Sequence, residues 1–141
     1  MYTILHRVGR LVEITIRSPV SIDEALRWQR DHDAAVDEVG GPYVCFVDVV
    51  DATVFPPDVA DAYVATMRRE PKLVRTGILL NADPVLSLQV QRMIRESHVP
   101  HRRTFRAPRD LEAWLGEVLT PAERARLGER LYARASNRPP P

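Results

Sequence analysis

Tyr43-Val44-Cys45-Phe46-Val47-Asp48-Val49-Val50 carries apolar side chains at both odd and even positions. In an extended chain successive side chains point to opposite faces, so a strand apolar on both parities needs cover on both. The run predicts a central strand with helices above and below it. Around it, Tyr2 to His6 and Leu11 to Ile16 flank Arg7-Val8-Gly9-Arg10 as an opening hairpin. In its second arm Val12, Ile14 and Ile16 alternate with Glu13 and Thr15, the pattern of a half-buried strand.

The intervening segments read as helices. Ser21-Ile22-Asp23-Glu24 is a capping box, and the helix it starts runs to about Val39, where Gly40-Gly41-Pro42 ends it. Its apolar positions are Ile22, Ala25, Leu26, Val36 and Val39, joined by Trp28, His32 and Ala35. Pro56-Pro57 opens a second helix with Val59, Ala62, Tyr63, Thr66 and Met67 on one stripe, closed by Pro71. Leu73 to Leu80 is a further buried strand. Asp83-Pro84 caps a third helix, about Val85 to Ser97, with Leu86, Val90, Met93 and Ile94 as its core face. Arg102 to Arg106 is a short basic strand. A fourth helix carries Leu111, Trp114, Leu115 and Val118, and Thr120-Pro121-Ala122-Glu123 starts a fifth that runs to about Ala135. The order β-β-α-β-α-β-α-β-α-α predicts an α/β fold with a mixed, largely parallel sheet. The 141 residues suit one domain over 1–135, with 119–135 as an appended helix and 136–141 as a flexible tail.

That order resembles the STAS family and the wider SpoIIAA-like group, small domains related to anti-sigma factor antagonists. The resemblance covers roughly residues 2 to 119. It is carried by Gly9-Arg10-Leu11-Val12-Glu13-Ile14 in the hairpin and by Phe46-Val47-Asp48-Val49-Val50-Asp51-Ala52-Thr53-Val54-Phe55 before the second helix. It implies a non-enzymatic interaction or regulatory module that docks on a protein partner, or on a second copy of itself, through the loop and helix after the central strand. The residues so implicated are Asp51, Thr53, Phe55, Pro56, Pro57, Asp58 and Ala62, an apolar turn flanked by acids at a helix start. In sporulation-type members a serine at that helix start is phosphorylated. Here the matching pair is Pro56-Pro57, which has no hydroxyl, so the switch is absent and only Thr53 nearby offers an acceptor.

Other constellations carry less. His98 and His101 are separated by a proline and lack a third ligand, so no metal site is expected. Asp31-His32-Asp33 is not a catalytic set, because consecutive helical residues project about 100° apart; a solvated helix surface with His32 packed beside Trp28 is expected instead. Cys45 lies in the most apolar strand, where a thiol is protonated and inert, and as the single cysteine it forms no internal disulfide. The glycines make no phosphate-cradling loop, so no nucleotide cofactor is expected. Without a converging nucleophile, base and orienting group, neither is catalysis.

Arg92, Arg95, His98, His101, Arg102, Arg103, Arg106 and Arg109 form a basic stretch offset only by Glu96 and Asp110. Arginine forks suit phosphate and carboxylate, so Arg92, Arg95, Arg102, Arg103 and Arg106 are candidates for holding an anionic small molecule or lipid head group. Such a ligand needs an apolar cavity, expected from Met67, Met93 and Trp114. The simpler expectation is that these charges guard a sheet edge. A net charge of +1 and the lack of an aromatic stacking platform argue against nucleic acid as a partner. No apolar run reaches the roughly 18 to 20 residues of a membrane span, and residues 1–10 lack a signal-peptide core, so a cytoplasmic protein is expected.

Overall fold

The computed structural model describes residues 1–136. The expected tail falls outside them beyond Ser136. Five strands, β1 (Tyr2–Val8), β2 (Leu11–Ile16), β3 (Tyr43–Asp48), β4 (Leu73–Leu79) and β5 (Arg102–Phe105), form one sheet in the order β1-β2-β3-β4-β5. β1 is antiparallel to β2, and the remaining pairs are parallel. The helices are α1 (Ile22–Val39), α2 (Pro57–Met67), α3 (Pro84–Ser97), α4 (Pro108–Gly116) and α5 (Pro121–Ser136).

The element order matches the expectation, and β3 is the central strand. Because strand order rises monotonically, the crossover helices α1, α2 and α3 all fall on one face. Val12, Ile14, Ile16, Tyr43, Cys45 and Ile78 meet them there. The opposite parity, Leu11, Val44, Phe46 and Leu79, meets α4 and α5 through Leu111, Leu115, Leu127 and Leu131. Gly77 lets α4 approach the sheet: a Cβ there would stand 3.1 Å from the side chains of Leu111 and Leu115, tighter than ordinary contact.

β3 stops at Asp48 rather than Val50, because the Asp48 carboxylate accepts the Val50 N–H at 3.0 Å and turns the chain. β2 is buried throughout instead of half-buried. Glu13, fully buried, accepts from Arg126 at 2.9 and 3.0 Å and is ion-paired with Arg130 at 3.1 Å, both on α5. Ser21 accepts the Glu24 N–H at 3.1 Å and Asp83 the Val85 N–H at 2.9 Å, as their capping roles require. Thr120 and Glu123 complete a reciprocal box at 3.2 and 2.8 Å. Leu26, expected on the inner face of α1, is 43% exposed. Among the described residues no helix is long and apolar enough to cross a membrane.

Candidate functional site

Strand register builds the site from the sheet upward. Val12, Cys45, Thr76 and Arg102 are successive partners across β2, β3, β4 and β5, so they form one row. Above the row, α1 contributes Trp28 and His32, one turn apart, and α2 contributes Tyr63 and Met67 at the same spacing. Trp28 meets Tyr63 edge-on at 4.9 Å between ring centres, and Tyr63 meets Phe55 edge-on at 5.2 Å. These rings do not fill the space beneath them. A cavity of about 80 Å³ remains between the sheet and α1 to α3, walled by Trp28, Phe55, Met67, Met93, Ile14 and Ile78 among others.

One end of this cavity is polar. Glu70, in the connection from α2 to β4, lies 2.7 Å from His32 Nε2 and accepts from Arg102 Nη2, which also donates to the Met67 carbonyl at 2.8 Å. Burial alone would raise the Glu70 carboxyl, but the hydrogen bonds and positive charges of His32 and Arg102 hold it below its ordinary range. Burial, reinforced by the Glu70 charge, pushes the Cys45 thiol and the Tyr43 phenol far up, so both stay protonated. His32 Nδ1 lies 3.4 Å from Asp33 Oδ1. Both imidazole nitrogens therefore face carboxylates, and neither is turned to Cys45 as a base toward a nucleophile.

Two donors at this site have no acceptor. The Arg102 side chain is 2% exposed, yet its Nη1 is buried without a hydrogen-bond partner, and so is Trp28 Nε1. Both residues line the cavity. Buried donors are nearly always paired, so an unpaired donor on each of two cavity-lining residues leaves room for an acceptor there.

The residues singled out in the sequence are distributed differently from expectation. Phe55 is 4% exposed and faces the interior, its N–H and carbonyl both bonded to Gln89 at 2.8 Å. Asp51, Thr53, Pro56, Pro57 and Asp58 are exposed around it. Asp51 pairs with Arg17 at 3.8 Å, the Thr53 N–H bonds Ser18 Oγ at 2.8 Å, Asp58 accepts the Val59 N–H at 2.8 Å, and half-buried Ala62 accepts from Gln29 at 2.8 Å. The arginines do not form one patch. Arg102 is inside, Arg92 pairs with Glu96 at 2.9 Å on α3, exposed Arg95 ends that helix, and Arg103 lies over the Phe105 ring at 5.4 Å on the other face of the sheet. Arg106 is exposed beyond β5, which is the edge strand.

His32 packs beside Trp28 as expected, at 5.1 Å between ring centres, but it is 2% exposed rather than at a solvated surface, because Glu70 supplies the buried partner it needs. Met67 and Met93 line the cavity as expected of a ligand site, but Trp114 does not. It is half-buried on the opposite face, against Phe105 and beneath the Arg75 guanidinium at 4.7 Å. Glu70 was not singled out in the sequence at all: a glutamate before Pro71 at a helix end looks like any surface acid. Comparison of the chain with protein-family models and with curated proteins gives no match to either.

Proposed function

We propose that the chain is a STAS-like, non-catalytic binding module that holds a small, largely apolar molecule between its sheet and helices α1 to α3. The observation that carries this reading is the apolar cavity whose wall bears two unpaired buried donors, Arg102 Nη1 and Trp28 Nε1. An apolar chamber with a few convergent polar groups is the usual form of a small-ligand site. Its volume of about 80 Å³ is roughly half that of an engineered cavity that takes benzene, so the occupant is small. The protonated Cys45 and the carboxylate-bound His32 favour retention of a ligand over its chemical conversion.

A second reading is favoured by a different observation. The loop after β3 is locked from below by Asn81, which donates to the Val50 and Ala52 carbonyls at 2.9 Å, and by Gln89. Above it Val54, Val85 and Leu88 are 44%, 57% and 67% exposed. A rigid loop beside exposed apolar side chains suits docking on a protein or a second copy at little ordering cost, which is the regulatory role the STAS resemblance implies.

Native mass spectrometry of freshly purified protein decides between them. The ligand reading expects a discrete bound mass that is released on denaturation and absent from folded Val90→Phe, whose larger ring fills the cavity. The docking reading expects a dimer that Leu88→Asp abolishes. A bare monomer that also binds no added small neutral probe overturns both.

A further inference from the structure

We infer that the cavity selects an uncharged molecule with a hydrogen-bond acceptor, such as a ketone, ester or amide carbonyl on a short branched hydrocarbon body, and not an anion. This rests on the reading of the cavity as a ligand site and specifies its ligand. The decisive point is the mismatch between spare donors and spare charge. Among the residues that line the cavity, the buried side-chain polar atoms without a hydrogen-bond partner are both N–H donors, Arg102 Nη1 and Trp28 Nε1. The ligand must therefore supply an acceptor.

The positive charge of Arg102 is not spare. Glu70, 9% exposed at its side chain, holds that guanidinium and faces His32 Nε2 at 2.7 Å, while Asp33 stands 3.4 Å from His32 Nδ1, so each of the two positive groups already faces a carboxylate. A ligand carboxylate or phosphate reaching Arg102 Nη1 would bring a second negative charge beside the Glu70 carboxylate in an apolar enclosure. Burial of an uncompensated charge there is strongly unfavourable. A carbonyl oxygen can accept from either donor and adds no charge. The remaining walls are mainly apolar, with Ile14, Phe55, Met67, Ile78 and Met93 among them. The same chemistry that made this arginine a candidate for an anion in the sequence thus turns against it once Glu70 is beside it.

Three probes of similar shape, small enough for a cavity of about 80 Å³, separate the possibilities: acetone, its hydrocarbon analogue 2-methylpropane, and acetate. Each is titrated into protein labelled at the methionine methyls and the tryptophan indoles and followed by NMR. The ketone is expected to shift the Met67 and Met93 methyls saturably, to move the Trp28 indole N–H downfield, and to bind about tenfold or more tighter than the hydrocarbon, as gained hydrogen bonds require. Acetate is expected to bind more weakly than the ketone. Trp28→Phe, which keeps an aromatic ring but removes the donor, is expected to lower ketone affinity while leaving hydrocarbon affinity unchanged. If the hydrocarbon equals the ketone, or acetate exceeds it, the inference on ligand class is overturned while the cavity remains a ligand site. If no probe shifts Met67 or Met93, the cavity reading falls with it.

Discussion

Glu70 concentrates the electrostatics of the inner face in one side chain. Its carboxyl is held below the ordinary value of 4.5, since His32 and Arg102 outweigh the burial that would raise it. Glu123 is lowered likewise, where burial is outweighed by the Arg10 and Thr120 N–H groups at 2.6 and 2.8 Å. A carboxyl depressed by folding stabilises the native state above its unfolded value, and that contribution is lost as pH falls through 4.5 toward the folded value. Stability measured by urea titration is therefore expected to drop steadily below pH 4.5. In Glu70→Gln, which cannot ionise, the slope of stability against pH should be shallower in that window, with lower stability at neutral pH. Equal slopes in the two proteins would show that Glu70 has the same affinity for protons folded and unfolded.

At the scale of elements, α5 is the part whose role the sequence conceals. The STAS resemblance ends near residue 119 and leaves α5 as an appendage, yet its arginines neutralise a fully buried glutamate of β2. Glu13 alternates with Val12 and Ile14 in a pattern that ordinarily means solvent on the glutamate side, and nothing in β2 itself announces a helix from more than a hundred residues later. The β1–β2 turn is bound to the same helix. Gly9 has φ +55°, and a Cβ there would run into the Glu123 carboxylate that caps α5 and accepts the Arg10 N–H. Removing both arginines, as Arg126→Ala with Arg130→Ala, leaves Glu13 buried without a partner and is expected to cost about 3–5 kcal/mol. Adding Glu13→Gln to that pair should restore part of the loss. Chemical denaturation of the set checks this, and an unchanged midpoint in the arginine double variant would mean that the pairing of α5 with Glu13 adds nothing to stability.

For the whole molecule, the layered architecture was readable where periodicity carried it. β3 is apolar on both parities and is indeed covered on both faces; the caps at Ser21, Asp83 and Thr120 sit where their side chains predicted. The site was readable only in pieces, because its residues come from α1, the α2–β4 connection and β5, and only the register of the sheet brings Cys45, Thr76 and Arg102 into one row beneath His32 and Glu70. The same central strand has a thermodynamic consequence. Tyr43 and Cys45 belong to one core while Val44 and Phe46 belong to the other, so neither layer can lose its sheet face without exposing the other. The two layers should melt together. Each carries one tryptophan, Trp28 against His32 and Tyr63 on the helical face of α1 to α3, and Trp114 against Phe105 and Arg75 on the face of α4 and α5. Fluorescence of Trp114→Phe then reports the first layer and that of Trp28→Phe the second. With each trace referred to the circular-dichroism melt of the same variant, the fluorescence and backbone transitions are expected to coincide in both proteins. Leu86→Ala, which opens the first core, should shift the Trp114 signal of the second by as much as its own layer, at a cost of about 2–5 kcal/mol. A Trp114 transition that ignores Leu86→Ala would mean that β3 does not couple the layers, and that the cavity opens independently of the α4–α5 face.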